Sequence, residues 1–163
     1  MNDKTNITME QLNALKDEFS QFERRYRAFM DNTDEGIWCF ETAEPIPVNL
    51  PEDEIIRRIY AAGFLVECND AMAKMHGFDK KEDLIGARLE DLLVPSDERN
   101  IEYLKSFIRS GFCLVGGESH EPDTYGNLKT FLNNFIGIIE NDQLVQAWGT
   151  QRDITEQKRS EER

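Results

Sequence analysis

The sequence predicts an α+β domain built on one antiparallel sheet and preceded by a long amphipathic helix. Three observations lead there. Apolar residues near the start recur at helical spacing, at Leu12, Leu15, Phe19, Phe22, Tyr26 and Phe29, with gaps of 3, 4, 3, 4 and 3. The closing third of the chain alternates apolar and polar residues in three runs separated by turn residues. Between the two lie short strand-like and helix-like segments and then a longer helix. That order gathers helices on one sheet rather than alternating βαβ units.

Thr8 and Gln11 form a T-x-x-Q capping box, so the first helix is expected over Thr8–Met30. Its seam is heptad-like, although aromatics at four of the six positions favour packing on a domain or in a bundle over a strict two-stranded coil. Asp31 to Gly36 breaks the helix, and Gly36 to Phe40 reads as a strand. Glu44-Pro45-Ile46-Pro47 is extended or turning. Pro51 opens a second helix with Glu52, Asp53 and Glu54 in its positive first turn. Ile55, Ile56, Ile59 and Tyr60 form its apolar stripe, and Gly63 is the expected C′ stop.

Phe64 to Cys68 is the next strand, and Asn69 and Asp70 cap a short helix running to His76. Lys80 to Ile85 is a helical turn closed by Gly86, and Leu89 to Leu93 leads to Pro95. Ser96 and Asp97 cap a longer helix over Glu98–Arg109, with Ile101, Leu104, Phe107 and Ile108 on its apolar face and Gly111 beyond its end. A three-strand meander follows, over Phe112–Pro122, Leu128–Ile139 and Gln143–Asp153. Gly116-Gly117 is read as a bulge or bend within the first of these strands.

The 163 residues carry a net charge of −13, with no basic stripe to offset it, which argues against a nucleic-acid partner. Cys39, Cys68 and Cys113 are widely spaced in apolar runs, so each is expected to be a small buried hydrophobe rather than part of a disulfide or zinc site. Met1 to Thr5 is not followed by the apolar run of a signal peptide, and no stretch has the length of a membrane span. The expected location is cytoplasmic, with membrane association through another part of a longer protein still compatible.

Val66-Glu67-Cys68-Asn69-Asp70-Ala71, Met75-His76-Gly77-Phe78 and Leu84-Ile85-Gly86 resemble the strand-to-helix core of PAS domains. Gly149-Thr150-Gln151-Arg152-Asp153-Ile154-Thr155-Glu156 resembles the end of the last PAS strand, where it passes into the helix leading to an effector. The resemblance runs from about Arg25 to Glu156. It implies a PAS-like five-stranded antiparallel sheet with short helices on one face and a pocket between them. It divides the chain into an N-terminal helix (1–30), a PAS domain (31–155) and the start of a C-terminal signalling linker helix (156–163). The segment at about 43–63 is a helical insertion that would lid the pocket or widen a dimer interface.

The resemblance also implies function: a sensory module of a larger signalling protein, such as a sensor histidine kinase of a two-component system, a cyclase or a transcriptional regulator. Homodimerisation through the N-terminal helix and a C-terminal effector domain are the expected partnerships. Asp153 and Thr155 match the family positions that tie the last strand to the output helix, and they are the expected relay. A ligand-free dimerisation and relay module is the alternative, and a small α+β enzyme is a third reading that lacks a catalytic constellation.

Haem is disfavoured because the helix over Glu98–Arg109, where haem-binding members carry their ligand, has no histidine. His76 and His120 are expected to be ordinary surface or half-buried residues. A covalent flavin photocycle is disfavoured because the region Leu89 to Pro95 lacks the reactive-cysteine signature. A metal site and a phosphate loop find no support either. A small organic ligand remains, and Asn133-Asn134 in mid-strand is the polar cue, since one of the two must face the helix-covered side. With Leu132, Ile136 and Ile138 taken as inward, Asn134 is the inward amide. Trp148 and Thr150, sharing a face with Leu144 and Gln146, complete the expected ligand set of Asn134, Leu132, Ile136, Trp148 and Thr150.

Overall fold

The computed structural model describes residues 6–163, and the chain divides into two compact units, Met1–Thr33 and Asp34–Arg163. The expectation that residues 1–5 carry no apolar leader falls outside the described residues. In the first unit, helix α1 spans Met9–Asp31 and starts at the expected capping box. The Thr8 amide donates to Gln11 Oε1 at 2.9 Å and the Gln11 amide to Thr8 Oγ1 at 3.1 Å. Of the seam, Leu12, Leu15, Phe19, Phe22 and Phe29 are 37% to 67% exposed, an apolar stripe turned to solvent.

The second unit is one five-stranded antiparallel sheet in the order β2-β1-β5-β4-β3. Its strands are β1 (Gly36–Pro47), β2 (Gly63–Cys68), β3 (Cys113–Pro122), β4 (Leu128–Glu140) and β5 (Gln143–Asp153). Its helices are α2 (Glu52–Ala62), α3 (Asp70–Met75), α4 (Leu89–Leu92), α5 (Glu98–Arg109) and α6 (Thr155–Glu161). The first four of these, with a 3₁₀ turn at Lys81–Asp83, bury their apolar sides against the sheet. Ile55, Ile59, Met72, Leu104 and Phe107 join Trp38, Leu65, Phe135 and Leu144 in one core cluster.

Asn69 pins the start of α3 to the sheet. Its Oδ1 accepts from the Met72 amide at 3.0 Å, the N-cap bond, and from the Ile37 amide of β1 at 2.9 Å. Its Nδ2 donates to the Glu35 carbonyl at 2.9 Å. One wholly buried side chain therefore caps a helix and closes the start of a strand.

Several local expectations are revised. Gly63 ends α2 with φ −78° and passes straight into β2; it is needed because a Cβ there would stand 2.5 Å from the Ile59 carbonyl oxygen, not because of a left-handed cap. Leu89–Leu92 forms a helix where only a connection was read. β1 continues through Pro47, and between Glu41 and Ile46 it slips register against β5. Gly116 does lie at a bulge, with φ 71° and a register shift between Leu114 and Gly117.

The facing of β4 is reversed. Phe131, Asn133 and Phe135 are buried under the helices, whereas Leu132, Asn134 and Ile136 lie on the outer face of the sheet. The run Phe131 to Ile136 has large apolar residues at both parities, so alternation alone did not decide. Burying both aromatics decides it, with Phe135 stacking on Phe107 at 4.3 Å and lying 5.2 Å from Trp38. Trp148 and Thr150 pair with Ile136 and Asn134 and share the outer face. Leu144 does not share it: the register shift between Ile138 and Ile139 changes parity and buries Leu144 on the inner side. Cys39 and Cys68 are buried as expected, but Cys113, at the sheet edge, is exposed.

Candidate functional site

A cavity of about 70 Å³ lies between the inner face of the sheet and the helices. Its walls are apolar, with Phe40, Trp38 and Phe135 from the sheet, Ile59 from α2, Leu89 and Leu93 at α4, and Leu104 and Phe107 from α5. Gly63, Tyr103, Leu144 and Ala147 complete the lining with Glu41, Thr42 and Gln146, and nearly all of the surface turned to the cavity is apolar. Glu41 sits where β1 begins to lose register with β5. The inserted helix α2 contributes Ile59 to the cavity wall and is held to α5 by the Arg109 guanidinium, which donates to both Glu52 carboxylate oxygens at 2.8 and 3.1 Å.

Two polar atoms of the lining residues are buried without a hydrogen-bond partner, Trp38 Nε1 and Thr42 Oγ1. Glu41, Gln146 and Trp148 form a chain: Gln146 Nε2 donates to Glu41 Oε1 and Trp148 Nε1 to Gln146 Oε1, both at 2.8 Å. Trp148 thus reaches the lining through Gln146 rather than entering the cavity. Of the expected ligand set, Asn134, Ile136, Trp148 and Thr150 do come together, in a groove of about 390 Å³ on the outer face. Leu132 lies beside Asn134 and Thr150 in a smaller depression. Asn134 has a structural task there, accepting from the Gly116 amide at 2.8 Å to hold the β3 bulge.

A buried polar network occupies the same inner face farther along the sheet. Ser119 Oγ donates to Glu121 Oε2 at 2.6 Å, and Asn133 Nδ2 donates to Ser119 Oγ at 2.9 Å. Glu121 Oε1 is 3.9 Å from His76 Nε2, and Gln151 Nε2 approaches the same histidine nitrogen at 3.3 Å. His76, expected at the surface or half-buried, is wholly buried and packs against Phe131 with the rings tilted 40° and their centres 5.1 Å apart. Burial pushes the Glu121 carboxyl up to about 7 and the His76 imidazole down to about 4. Near neutral pH His76 is therefore neutral and Glu121 is divided between its two forms. None of Ser119, Glu121, Asn133 and Gln151 was singled out as a site residue from the sequence. The only signal was that one of Asn133 and Asn134 had to be inward; once Asn133 is, β3 places Ser119 and Glu121 beside it.

The junction of β5 with α6 is tied from both sides. Asp153 Oδ1 accepts from the Thr155 amide at 2.9 Å and from the Thr155 hydroxyl. The Thr155 hydroxyl oxygen in turn accepts from the Thr130 amide of β4 at 3.0 Å, and the Ile154 amide donates to the Thr130 carbonyl at 3.0 Å. Asp153 Oδ2 lies 3.5 Å from Lys129 Nζ, which also donates to the Met75 carbonyl at the end of α3. Asp153 thus bonds the first residue of α6, and the Thr155 hydroxyl fastens that residue to β4.

Among the described residues no group of three or more His, Cys, Asp or Glu side chains is placed to hold a metal ion. No described helix is long and apolar enough to cross a membrane. Burial raises the Cys39 and Cys68 thiols to about 12, which leaves both unreactive near neutral pH.

Comparison with known proteins places these features in context. A family model described as PAS domain matches residues 55–156. Among solved structures, the PAS domain of a protein from Colwellia psychrerythraea is similar at a TM-score of 0.58 and 23% identity, over 83% of this chain and 98% of that one. The PAS domain of an HTR-like protein from Haloarcula marismortui gives 0.53 and 14%, over 87% and 99%. A PAS domain from a two-component sensor histidine kinase gives 0.54 and 14%, over 82% and 98%. No curated protein matches.

Proposed function

This chain belongs to the PAS domain family, whose members are generally sensory and signalling modules, and from that premise we propose that it senses a small molecule in the cavity and relays the event through β5 into α6. One observation carries the reading. β5 lines the cavity with Leu144, Gln146 and Ala147, and its last residue, Asp153, accepts from the amide and hydroxyl of Thr155, the first residue of the exit helix. A ligand that shifts β5 in the cavity acts on the same strand that holds the start of α6. The lining contains neither histidine nor cysteine, which supports the expectation of neither haem nor a covalent flavin.

Asp153→Ala tests the relay. It removes the bonds to Thr155 and the Lys129 ion pair, both at the surface, so the domain should lose only about 1 kcal/mol and remain folded. In the full-length protein the variant should keep ligand binding while output no longer responds to it. Normal regulated output from a folded Asp153→Ala protein would remove this junction from the pathway.

The exposed α1 stripe supports homodimerisation through that helix. Deleting residues 1–25 should move the protein toward monomer in light scattering, and an unchanged mass would assign association to another surface. The small cavity favours a second reading, a ligand-free relay, because small-molecule sites commonly enclose about 300 Å³ or more. A small molecule released when the purified protein is denatured would speak for the first reading over the second.

A further inference from the structure

Five buried polar side chains on the inner face of the sheet take no part in the cavity: His76, Ser119, Glu121, Asn133 and Gln151. We propose that they form a second input to the domain, a proton-sensing site at which ionisation of Glu121 decides which ring nitrogen of His76 carries the hydrogen and whether Gln151 stays bonded to it. This site acts without a ligand in the cavity and shares with it only the exit through β5.

Glu121 has one carboxyl oxygen served and one not. Oε2 accepts from the Ser119 hydroxyl, whose oxygen in turn accepts from Asn133. Oε1 faces His76 Nε2 at 3.9 Å, too far for a hydrogen bond. The strand register sets Lys129 opposite Glu121, but the Lys129 ammonium donates to the Met75 carbonyl and lies 3.5 Å from Asp153. Among the described residues no Lys or Arg pairs with Glu121, and the one partner that can answer its charge is His76. Tyr60 of α2 and Tyr103 of α5 also face Glu121, and burial keeps both phenols un-ionised.

The tautomer of His76 is free to respond. Gln151 Nε2 lies 3.3 Å from His76 Nε2, and an amide nitrogen only donates, so the ring nitrogen accepts and the ring hydrogen sits on Nδ1. Nδ1 is buried and makes no hydrogen bond of its own, which leaves the choice of tautomer to what Nε2 meets. With Glu121 protonated, an O–H on Oε1 suits the Nε2 lone pair. With Glu121 ionised, that lone pair faces a carboxylate. Moving the ring hydrogen to Nε2 turns repulsion into a hydrogen bond to Oε1, and Nε2 can then no longer accept from Gln151. The Glu121 proton goes to solvent, and the ring stays neutral throughout. Closing 3.9 Å to a hydrogen bond of about 2.8 Å shifts one partner by about 1 Å. Gln151 stands on β5 just ahead of Asp153, which bonds the first residue of α6.

Burial supports the direction of the switch, since it raises the Glu121 carboxyl to about 7 and lowers the His76 imidazole to about 4. Asp123, Asp153 and the Pro122 backbone favour a proton on His76 and Lys129 opposes it, yet the ring remains neutral near pH 7. Only the carboxyl then changes charge there.

The test follows the imidazole nitrogens of isotope-labelled protein by long-range proton–nitrogen NMR from about pH 5.5 to 8.5. The chain has two histidines, and the His76 signals are those that survive in His120→Asn. A hydrogen-bearing nitrogen and a bare one differ widely in shift, so the tautomer is read directly. His76 should pass from Nδ1–H at the acid end to Nε2–H at the alkaline end with a midpoint near 7. The carbon-13 shift of the Glu121 carboxyl, the Gln151 side-chain amide and the backbone amides of Asp153, Ile154 and Thr155 should move with the same midpoint.

Glu121→Gln sets an amide donor against Nε2 at every pH, so the Nδ1–H form should persist and the exit amides should stay still. Should that variant not fold, the shared midpoint in the unmodified protein decides. A His76 tautomer that does not change with pH, a Glu121 carboxyl that titrates in the ordinary carboxylate range, exit amides that stay still, or an exit shift that survives in Glu121→Gln overturns the proposal. Asp153→Ala, which tests the ligand relay, leaves Glu121, His76 and Gln151 in place and should keep the swap of tautomers, so the two readings fail separately.

Discussion

Glu121→Gln should make the protein more stable relative to wild type as pH rises, by about 3 kcal/mol between pH 4.5 and pH 8. Burial holds the Glu121 carboxyl up at about 7 in the folded protein, against 4.5 for an unperturbed group. Below pH 4.5 the carboxyl is protonated in both folded and unfolded chains and costs nothing. Between pH 4.5 and 7 the unfolded chain releases this proton while the folded one keeps it, so stability falls as pH rises, and the loss levels off above 7. A raise of roughly two to three pH units corresponds to about 3 kcal/mol.

His76 opposes it. Its folded value of about 4 lies below the ordinary 6.5, so the unfolded chain takes up a proton first as pH drops, and stability falls between pH 6.5 and 4. In the wild type the two slopes oppose each other between pH 4.5 and 6.5. In Glu121→Gln the histidine slope stands alone and acid sensitivity should appear. Tyr60 and Tyr103 also face Glu121, and Lys129, Asp123 and Asp153 act on His76, but these remain in the variant. Urea unfolding of both proteins from pH 4.5 to 8 gives the difference directly, and parallel curves would show that Glu121 is not held protonated by burial.

Asn69→Ala should cost about 3 kcal/mol, a large share of the stability of a domain this size. The substitution removes the α3 cap bond, normally worth about 1 kcal/mol. It also strips the Ile37 amide of its side-chain acceptor and the Glu35 carbonyl of a donor, at a buried position where unmade hydrogen bonds cost about 1–3 kcal/mol each. Asn69→Asp retains the two acceptor contacts and loses the donor, so it should fall between wild type and Ala. Denaturant unfolding measures all three. A loss under about 1 kcal/mol for the alanine variant would mean that water replaces the side chain and that Asn69 does not lock α3 to β1.

The contrast between Asn69 and Asn133 shows which features local sequence carries. Asn69 follows an apolar strand and precedes a helical stripe, so its capping role was readable from spacing. The same holds for the Thr8 capping box, for Asp97 at the start of α5, and for the strands of the meander, each bounded by its own turn residues. These are local events, in which a side chain satisfies a backbone group two or three residues away. The family resemblance rested on such features and was readable for the same reason.

What the sequence by itself determined was the order and type of nearly all the elements, the antiparallel sheet and the family. Only the tertiary structure decided which face each strand turns inward. β4 has apolar residues at both parities, and packing of Phe135 against Phe107 and Trp38 settled the choice, sending Asn134 outward and Asn133 inward. Parity on β5 changed at a register shift that no local residue announced, which separated Leu144 from Trp148. The cavity and the His76–Glu121 network draw on residues far apart in the chain, from β1 to β5 and from α2 to α5. The burial that leaves Trp38 Nε1 without a partner and raises the Glu121 carboxyl is a property of all of those elements packed together.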